Sequence, residues 1–247
     1  MMIKKIEKDF VKTYRIQESF EALERVRGEI GERAYGRLRD LLEYRLYGKE
    51  FDRNPLNEKI ALAFSMGSDS TASLKILRWA GFDVIPVMVK LPQIRDAVLL
   101  HAQSYGAVFV EIPEYTEKIS ARIEKKAPIC GICHSMIMDA VERYALEEGI
   151  KVVASGDLLS SGLISIYRKE NLIVLNLPAF LAMDKREAIE VLGKKYALGF
   201  GCSLWKAASR KTPVLKRFAI QRVLRELRAR VIDEEIAQTL IYDILQK

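Results

Sequence analysis

The chain has 247 residues, of which 49% are hydrophobic and 30% are charged, and its formal net charge is +7. This length predicts one large domain with at most a small appendage, and the hydrophobic content allows a sizeable core. No stretch reaches the roughly 18 apolar residues that a membrane-spanning helix needs, and residues 1–9 do not resemble a secretory signal. We therefore expect a cytoplasmic protein that does not bind membranes.

The predicted elements begin with a helical region, residues 1–57. Apolar residues recur there at helical spacing, and the turn-forming sequence Asn54-Pro55-Leu56-Asn57 marks its end. Beyond it, short apolar runs alternate with amphipathic segments. The apolar runs predict strands at 60–64, 84–89, 107–112, 152–154 and 172–177. The amphipathic segments predict helices at 70–80, 92–105, 135–148 and from residue 184, where Asp184 and Glu187 have capping-box spacing.

This alternation of strands and helices is typical of right-handed βαβ units. It predicts an α/β fold for residues 58–205, with a mainly parallel five-stranded sheet flanked by helices. A helical C-terminal extension, residues 206–247, should follow, with helices at about 214–230 and 233–246. Folds of this class bind ligands at the carboxyl ends of their strands.

The positive charge is concentrated in the segment 206–230. Nine of its 25 residues are Lys or Arg, and Glu226 is its only acid, so this segment carries +8 and the rest of the chain about −1. A local basic patch predicts a polyanionic partner, such as tRNA or another RNA. The alternative is a basic helix that is only solvated.

The loop after the first strand has the residue types of a phosphate site. Its members are Ser65, Met66, Gly67, Ser68, Asp69 and Ser70. Gly67 lets backbone amides approach phosphate oxygens, the serines offer hydroxyl donors, and the next helix points its positive end at the loop. Asp69 fits beside phosphates only with a cation, so it is the candidate ligand of Mg²⁺. The Gly-Lys-Ser/Thr ending of a Walker A loop is missing.

This loop resembles the Ser-Gly-Gly-x-Asp-Ser motif of the PP-loop ATP pyrophosphatases, and five of the six positions follow the pattern. The departure is Met66, where the family usually has Gly; a Cβ penalises positive φ there. The resemblance covers roughly residues 58–205. It implies cleavage of ATP between the α and β phosphates and attachment of AMP to a substrate.

Other segments take their expected roles from the same resemblance. Ser155, Gly156 and Asp157 resemble the second nucleotide-side segment of the superfamily. Lys185 matches the lysine of its later Pro-Leu…Lys-x-Glu element, which makes Lys185 a catalytic candidate beside Asp69. The adenine is expected against the end of the second strand. The residues at that end are Met88, Val89 and Lys90.

Three cysteines form the second group of candidate catalytic residues: Cys130, Cys133 and Cys202. A Cys-x-x-Cys pair alone is typical of zinc, redox and cluster proteins alike. With one distant cysteine, the set resembles the PP-loop tRNA thiolation enzymes, which implies a [4Fe–4S] cluster with one open iron. The alternatives are zinc, with His134 as a fourth ligand, a cysteine persulfide that carries sulfur, and buried inert thiols.

Together these features predict an ATP-dependent enzyme that adenylates a nucleobase carbonyl in tRNA for sulfur transfer. Its partners are then RNA and a sulfur donor, and a homodimer is one option for its assembly. A first alternative is an amide-forming PP-loop ligase that uses ammonia, similar to the 7-cyano-7-deazaguanine synthases. A second alternative is a non-catalytic module that binds nucleotide or RNA, for which Met66 is the main argument.

Overall fold

A computed structural model of the protein describes residues 2–160, 162–193 and 198–246. Its N-terminal region contains two helices, α1 (Phe10–Arg25) and α2 (Glu32–Tyr47), joined by a 3₁₀ turn. The Asp9 carboxylate caps α1 by accepting a hydrogen bond from the Lys12 amide at 3.0 Å. Gly48 ends α2 in the left-handed conformation, with φ of 73°. The prediction of a helical region before residue 58 is confirmed.

Six strands form one sheet in the order β3-β2-β1-β4-β6-β5. Their bounds are Lys59–Ala63 (β1), Asp83–Val89 (β2), Val108–Val110 (β3), Val152–Ser155 (β4), Ile166–Lys169 (β5) and Leu172–Asn176 (β6). All neighbours pair in parallel except β5 and β6, which form an antiparallel hairpin. The predicted α/β fold with a mainly parallel sheet is confirmed, but the predicted count of five strands is wrong.

The extra strand is β5, at the edge of the sheet. It has four residues, and Tyr167 and Arg168 in its middle are exposed. Its hairpin turn is Glu170-Asn171, because Lys169 pairs with Leu172. This turn lacks the Asn-Gly type of sequence that identifies hairpins, and Glu170 itself adopts a positive φ of 52°. Because the strand is short, has two exposed residues and precedes an atypical turn, its sequence shows little of the apolar–polar alternation that predicts a strand.

Helices connect and flank the strands. Their bounds are Ser68–Trp79 (α3), Asp96–Gln103 (α4), Tyr115–Glu124 (α5), Cys130–Glu147 (α6), Leu177–Phe180 (α7) and Lys185–Leu192 (α8). The capping box is confirmed, since the Glu187 amide donates to Asp184 at 3.0 Å and the Asp184 amide donates to Glu187 at 3.1 Å. Helix α5 was not predicted, and α6 begins at Cys130 rather than near residue 135.

The sheet has a covered layer on each face. On one face, α1, α2, α3 and α8 pack around a large apolar cluster that includes Leu62 from β1 and Leu175 from β6. On the other face, Val141 and Ala145 of α6 pack on Ala61 of β1 and its neighbours. The central strands are therefore buried on both sides, as is usual for parallel sheets. This rigid centre leaves the strand ends to carry a site.

The C-terminal part of the chain is three helices, α9 (Ser203–Lys211), α10 (Leu215–Arg228) and α11 (Glu234–Gln246). The two helices predicted in the tail correspond to α10 and α11, whereas α9 was not predicted. The three helices share an apolar cluster of their own, which also takes in Ile129 in front of α6. Among the described residues, no helix is long and apolar enough to cross a bilayer.

Candidate active site

The candidate site lies where the strand order reverses. β1 pairs with β2 on one side and with β4 on the other, and all three strands run parallel. The loops that follow β1 and β4 therefore leave the same edge of the sheet in opposite directions, which opens a crevice between them. The predicted phosphate loop follows β1, and the predicted second segment follows β4. The topology thus brings two separately predicted segments together.

The loop 65–70 is held by its own serines. The Ser65 amide donates to Ser70 Oγ at 3.3 Å, the two hydroxyls lie 3.2 Å apart, and the Gly67 amide donates to Ser65 Oγ at 3.3 Å. Met66 adopts a left-handed φ of 60°. The conformation that favours Gly at this position is therefore kept although Met carries a Cβ, at a cost in backbone strain.

The start of α3 presents unpaired donors at this loop. Gly67 is the N-cap of α3, and the first amide with a backbone acceptor is that of Thr71, which donates to the Gly67 carbonyl at 3.0 Å. The amides of Ser68, Asp69 and Ser70 have no acceptor in the described parts of the chain. Free amides at the positive end of a helix are suited to hold an anion.

Lys185 meets the loop from the first turn of α8. Its Nζ lies 2.8 Å from Ser68 Oγ and 2.8 Å from each carboxylate oxygen of Asp69, although 116 residues separate it from Asp69. The capping box at Asp184 fixes the start of α8, and Lys185 is the first residue of that helix. The Lys185 amide donates to the Val231 carbonyl at 2.8 Å. Lys185 and Asp69, two of the predicted catalytic residues, therefore form an ion pair.

Gly156 lets the second loop reach the first. A Cβ on Gly156 would lie 2.7 Å from the Ser70 nitrogen and 2.9 Å from the Asp69 carbonyl carbon, so any side chain there would collide with backbone. Ser155 is fixed by a 2.6 Å hydrogen bond to Asn176 at the end of β6. The Asp157 carboxylate accepts from the Leu159 amide and the Ser160 hydroxyl, both at 2.7 Å. Asp157 thus shapes its own turn.

The residues expected against the adenine lie at the carboxyl end of β2. Met88 and Val89 are buried, so they can offer only backbone groups to a ligand in the crevice. Lys90 is exposed, its amide donates to the Val110 carbonyl at 2.9 Å, and its Nζ lies over the Phe109 ring. This end of β2 flanks the loop after β1 on the side opposite β4.

The three cysteines lie at the starts of two helices. Cys130 and Cys133 are three positions apart in the first turn of α6, on one face, and Cys202 is the N-cap of α9. Cys130 and Cys133 are half-buried, whereas Cys202 is exposed. Both helix starts point a partial positive charge at the thiols, which favours thiolates and negatively charged ligands.

A chain of hydrogen bonds links α6 to α9. The Ser203 hydroxyl donates to the Gln93 carbonyl at 3.1 Å, Gln93 Nε2 donates to the Tyr115 hydroxyl at 2.8 Å, and that hydroxyl lies 3.2 Å from Cys133 Sγ. Gln93 Oε1 is buried without a hydrogen-bond partner in the described structure. Sequence patterns gave no sign of Tyr115 or Gln93, because neither belongs to a motif.

The electrostatics tie the thiols to one another and to the β4 loop. Burial raises the pKa of Cys130; Cys202 and Cys133 raise it further, whereas Arg222 of α10 lowers it. Burial also raises the pKa of Cys133, while the hydrogen bond from Tyr115 lowers it. Arg222 interacts electrostatically with both Cys130 and Asp157. The charge of one residue of the basic segment therefore acts on a cysteine and on the carboxylate of the loop after β4.

The donor types fit the implied ions, although no ligand set is closed. Thiolates suit an iron–sulfur cluster or zinc, and a carboxylate beside a hydroxyl suits Mg²⁺. Cys130 and Cys133 each interact electrostatically with Cys202. Within the described residues, no group of three His, Cys, Asp or Glu side chains is gathered closely enough to hold a metal ion.

The chain is 33% identical, over 250 aligned residues, to an uncharacterized protein of Methanocaldococcus jannaschii, and the match covers 96% of this chain and 94% of that relative. The protein belongs to the same family as this archaeal relative. The alignment spans both the sheet and the C-terminal helices, so the family shares the whole architecture rather than a single motif. No protein-family model matches the chain.

Proposed function

We propose that the protein is an ATP-dependent adenylating enzyme that activates a nucleobase carbonyl of RNA, most simply of tRNA, for sulfur transfer. One observation carries the proposal. Lys185 Nζ lies 2.8 Å from Ser68 and Asp69, while Gly156 packs against Ser70, so three segments that match the PP-loop pattern separately meet at one point. That point is the switch in strand order, where α/β sheets bind nucleotides.

ATP would bind with its polyphosphate on the loop 65–70. The free amides of Ser68, Asp69 and Ser70 donate to phosphate oxygens, and the helix α3 favours their negative charge. Lys185, which now neutralises Asp69, also reaches a phosphate placed over the loop. Asp69 and Ser68 would hold Mg²⁺, which supplies further charge neutralisation to the leaving phosphates when it is bound.

The adenylation step needs positioning and charge stabilisation. The substrate carbonyl oxygen forms a bond to the α-phosphorus, the bond from that phosphorus to the bridging oxygen breaks, and pyrophosphate leaves with the electron pair. Lys185 and the α3 amides stabilise the charge that develops on the leaving group. The product is an activated base in which AMP is a good leaving group.

The cysteines would supply the second half of the reaction. Cys130, Cys133 and Cys202 would hold an iron–sulfur cluster, and such a cluster, when bound, would make sulfide available beside the activated base. A zinc ion or a cysteine persulfide is the alternative for the same residues. Arg222 interacts electrostatically with Cys130 and with Asp157, so the charge of one side chain acts on both the cysteine group and the loop after β4.

The basic helices would hold the RNA backbone. Arg217, Arg225 and Arg228 of α10 are exposed, and they have no ion-pair partner in the parts of the chain that the structure describes. Free arginines on one helix suit phosphates, and binding through them should weaken as salt is raised. The same helix carries Arg222, so RNA held there would lie beside the cysteines.

The proposal is tested by measuring pyrophosphate released from ATP, with and without bulk tRNA, and with EDTA as a control for Mg²⁺. We expect release that needs Mg²⁺ and is stimulated by tRNA. Release that ignores RNA but needs a small acid and ammonia would instead support an amide-forming ligase. ATP binding without turnover on any RNA would support a non-catalytic module.

The nature of the cysteine site is tested by anaerobic purification. Brown protein with stoichiometric iron and sulfide supports a cluster, whereas colourless protein with one zinc per chain contradicts it. Because the loop and the cysteines are chemically independent, the outcome at one does not decide the outcome at the other.

A further inference from the structure

A cavity of about 870 Å³ lies between the start of α6 and the helices α9 and α10. None of the residues 65–70 lines it. Its size is that of a pocket for a small molecule or a single nucleotide. The residues that give it its chemistry are Cys130, Phe200, Trp205, Phe218, Arg225 and Arg228.

The interior wall of this cavity is aromatic. Phe200 and Trp205 are buried and pack edge to face, with ring centroids 4.9 Å apart at 72°. Phe218 of α10 is only half-buried, so part of its ring remains available to a ligand. Flat aromatic side chains bind nucleobases by stacking, without preference for one base.

The rim of the cavity is cationic. Arg222, Arg225 and Arg228 follow one another at three-residue spacing on α10 and all line the cavity. Arg222 is paired with Glu226 at 2.8 Å, whereas the other two arginines form no ion pair with any described residue. Guanidinium groups bind phosphate oxygens with two parallel hydrogen bonds. An apolar pocket with such a rim is complementary to a flat base that carries a phosphate.

Cys130 lines the same cavity, so a thiol lies beside its aromatic wall. A ligand seated there would touch one of the three thiols to which the proposed function assigns sulfur delivery. A lipid chain could pack against the apolar wall, but it would not explain why a cysteine lines the cavity. A nucleotide accounts for the wall, the rim and the thiol together.

We propose that this cavity binds one unstacked nucleotide of the RNA substrate, with its base against Phe218 and its flanking phosphates on Arg225 and Arg228. The inference rests on the proposed function for the identity of the polymer, and it adds a site beside the cysteines for one base of that polymer. A base must leave its stack to enter such a pocket.

The test is the affinity of the full chain for two fluorescent RNA hexamers, one of mixed sequence and one abasic, which has the same phosphates but no bases. Phe218→Leu keeps the apolar volume and loses the flat ring. We expect it to weaken binding of the mixed hexamer by about tenfold and to leave the abasic hexamer unchanged. Arg225→Gln should weaken both. Tyr242→Ala, an exposed aromatic on α11 outside the cavity, is the control.

Equal binding of the mixed hexamer by Phe218→Leu and the native chain would overturn the pocket. Competition by an acidic peptide as strong as that by RNA would also overturn it, in favour of a protein partner. Pyrophosphate release is measured on the same variants. If tRNA stimulates release equally in native protein and Phe218→Leu, the pocket fails while adenylation stands. Base-dependent RNA binding without any pyrophosphate release would support the pocket and contradict adenylation.

Discussion

The loop 65–70 and the cysteine group differ in how far apart along the chain their residues lie. The loop takes six consecutive residues, 65–70, and one distant lysine, and its contacts are closed by hydrogen bonds of 2.8 to 3.3 Å. The cysteine group takes residues from two helix starts, and Tyr115, Gln93 and Ser203 connect those helices. The loop is mostly local and needs one residue of a distant helix, whereas the cysteine group depends on how two helices dock.

The two regions also differ in what they leave unsatisfied. At the loop, the Asp69 carboxylate already has Lys185 as its partner. At the cysteines, Gln93 Oε1 is buried without a partner, and burial raises the pKa of two of the thiols. Buried polar groups without partners are costly unless something satisfies them. The loop 65–70 therefore leaves backbone donors free at the start of α3, whereas the cysteine region leaves a buried side-chain acceptor without a partner among the described residues.

If the regions are separable, a change at the cysteines should stop sulfur transfer and spare adenylation. We expect Cys202→Ser to lose sulfur incorporation into tRNA completely while pyrophosphate release stays at the native rate. The two products are measured in one reaction, by mass spectrometry of nucleosides and by a pyrophosphate assay. Ser104→Ala at the end of α4 keeps all three thiols and the hydrogen bonds around them, and it serves as the control. Loss of both products in Cys202→Ser would contradict the functional separation of the two regions.

The reverse change is Lys185→Met, at the loop. Removing this charge should lower the rate of pyrophosphate release by about 100-fold, since it removes a group that stabilises the leaving phosphates. The iron and sulfide content of the reconstituted protein should not change. Lys75→Met is a matched control, because Lys75 bridges the same two helices at the other end of α8, where its Nζ donates to the Leu192 carbonyl at 3.1 Å. Equal rates in the two variants would contradict the role of Lys185.

Close packing of the two loops predicts that Gly156 tolerates no side chain. Gly156→Ala should lower the free energy of unfolding by about 1–3 kcal/mol, because its Cβ would overlap the backbone of Ser70. Gly36→Ala in the interior of α2 meets nothing within 4 Å and should instead stabilise by about 1 kcal/mol. Urea denaturation followed by circular dichroism measures both. A neutral Gly156→Ala would show that the loops do not depend on this contact.

The smallest effect concerns Tyr115, which touches Cys133. Its hydrogen bond lowers the pKa of a thiol that burial raises, so Tyr115→Phe should move that pKa further upward. Since the thiolate is the reactive form, alkylation of Cys133 in metal-free protein should need higher pH than in the native chain. Mass spectrometry of the alkylated peptide, in a Cys130→Ser background, gives the profile. Tyr144→Phe, on the same helix as Cys133, is the control. An unchanged pH profile of Cys133 alkylation in Tyr115→Phe would contradict the hydrogen bond between Tyr115 and Cys133.

The same contrast explains what the sequence could predict. The loop 65–70, the strand before it and the capping box at Asp184 are local patterns, and the structure has each of them where the residues predicted it. Helix α5 was missed because its apolar residues, Tyr115, Ile119 and Ile123, form a stripe only one residue wide. The ion pair of Lys185 with Asp69 spans 116 residues, so only a family resemblance, not spacing, could indicate it.

Two features of the candidate site have no counterpart in any local pattern. The cavity beside Cys130 exists because α9 and α10 dock on the start of α6, and docking is decided by the apolar cluster of the C-terminal helices. In the sequence, Arg222 is one of nine Lys and Arg residues in the basic segment 206–230, and nothing distinguishes it from the others. Its place beside Cys130 in the lining of one cavity depends on that docking. Tertiary packing, rather than propensity, places both.

The most direct test of the account is calorimetry of Mg-ATP binding to the native chain, Asp69→Asn and Asp83→Asn. Asp83 begins β2 at the opposite edge of the sheet, so its variant is the matched control. We expect saturable binding by the native chain and by Asp83→Asn, and an affinity about tenfold or more lower for Asp69→Asn, from the loss of one charge-assisted contact. No heat at millimolar Mg-ATP, or equal affinity in all three proteins, would contradict a nucleotide site at residues 65–70.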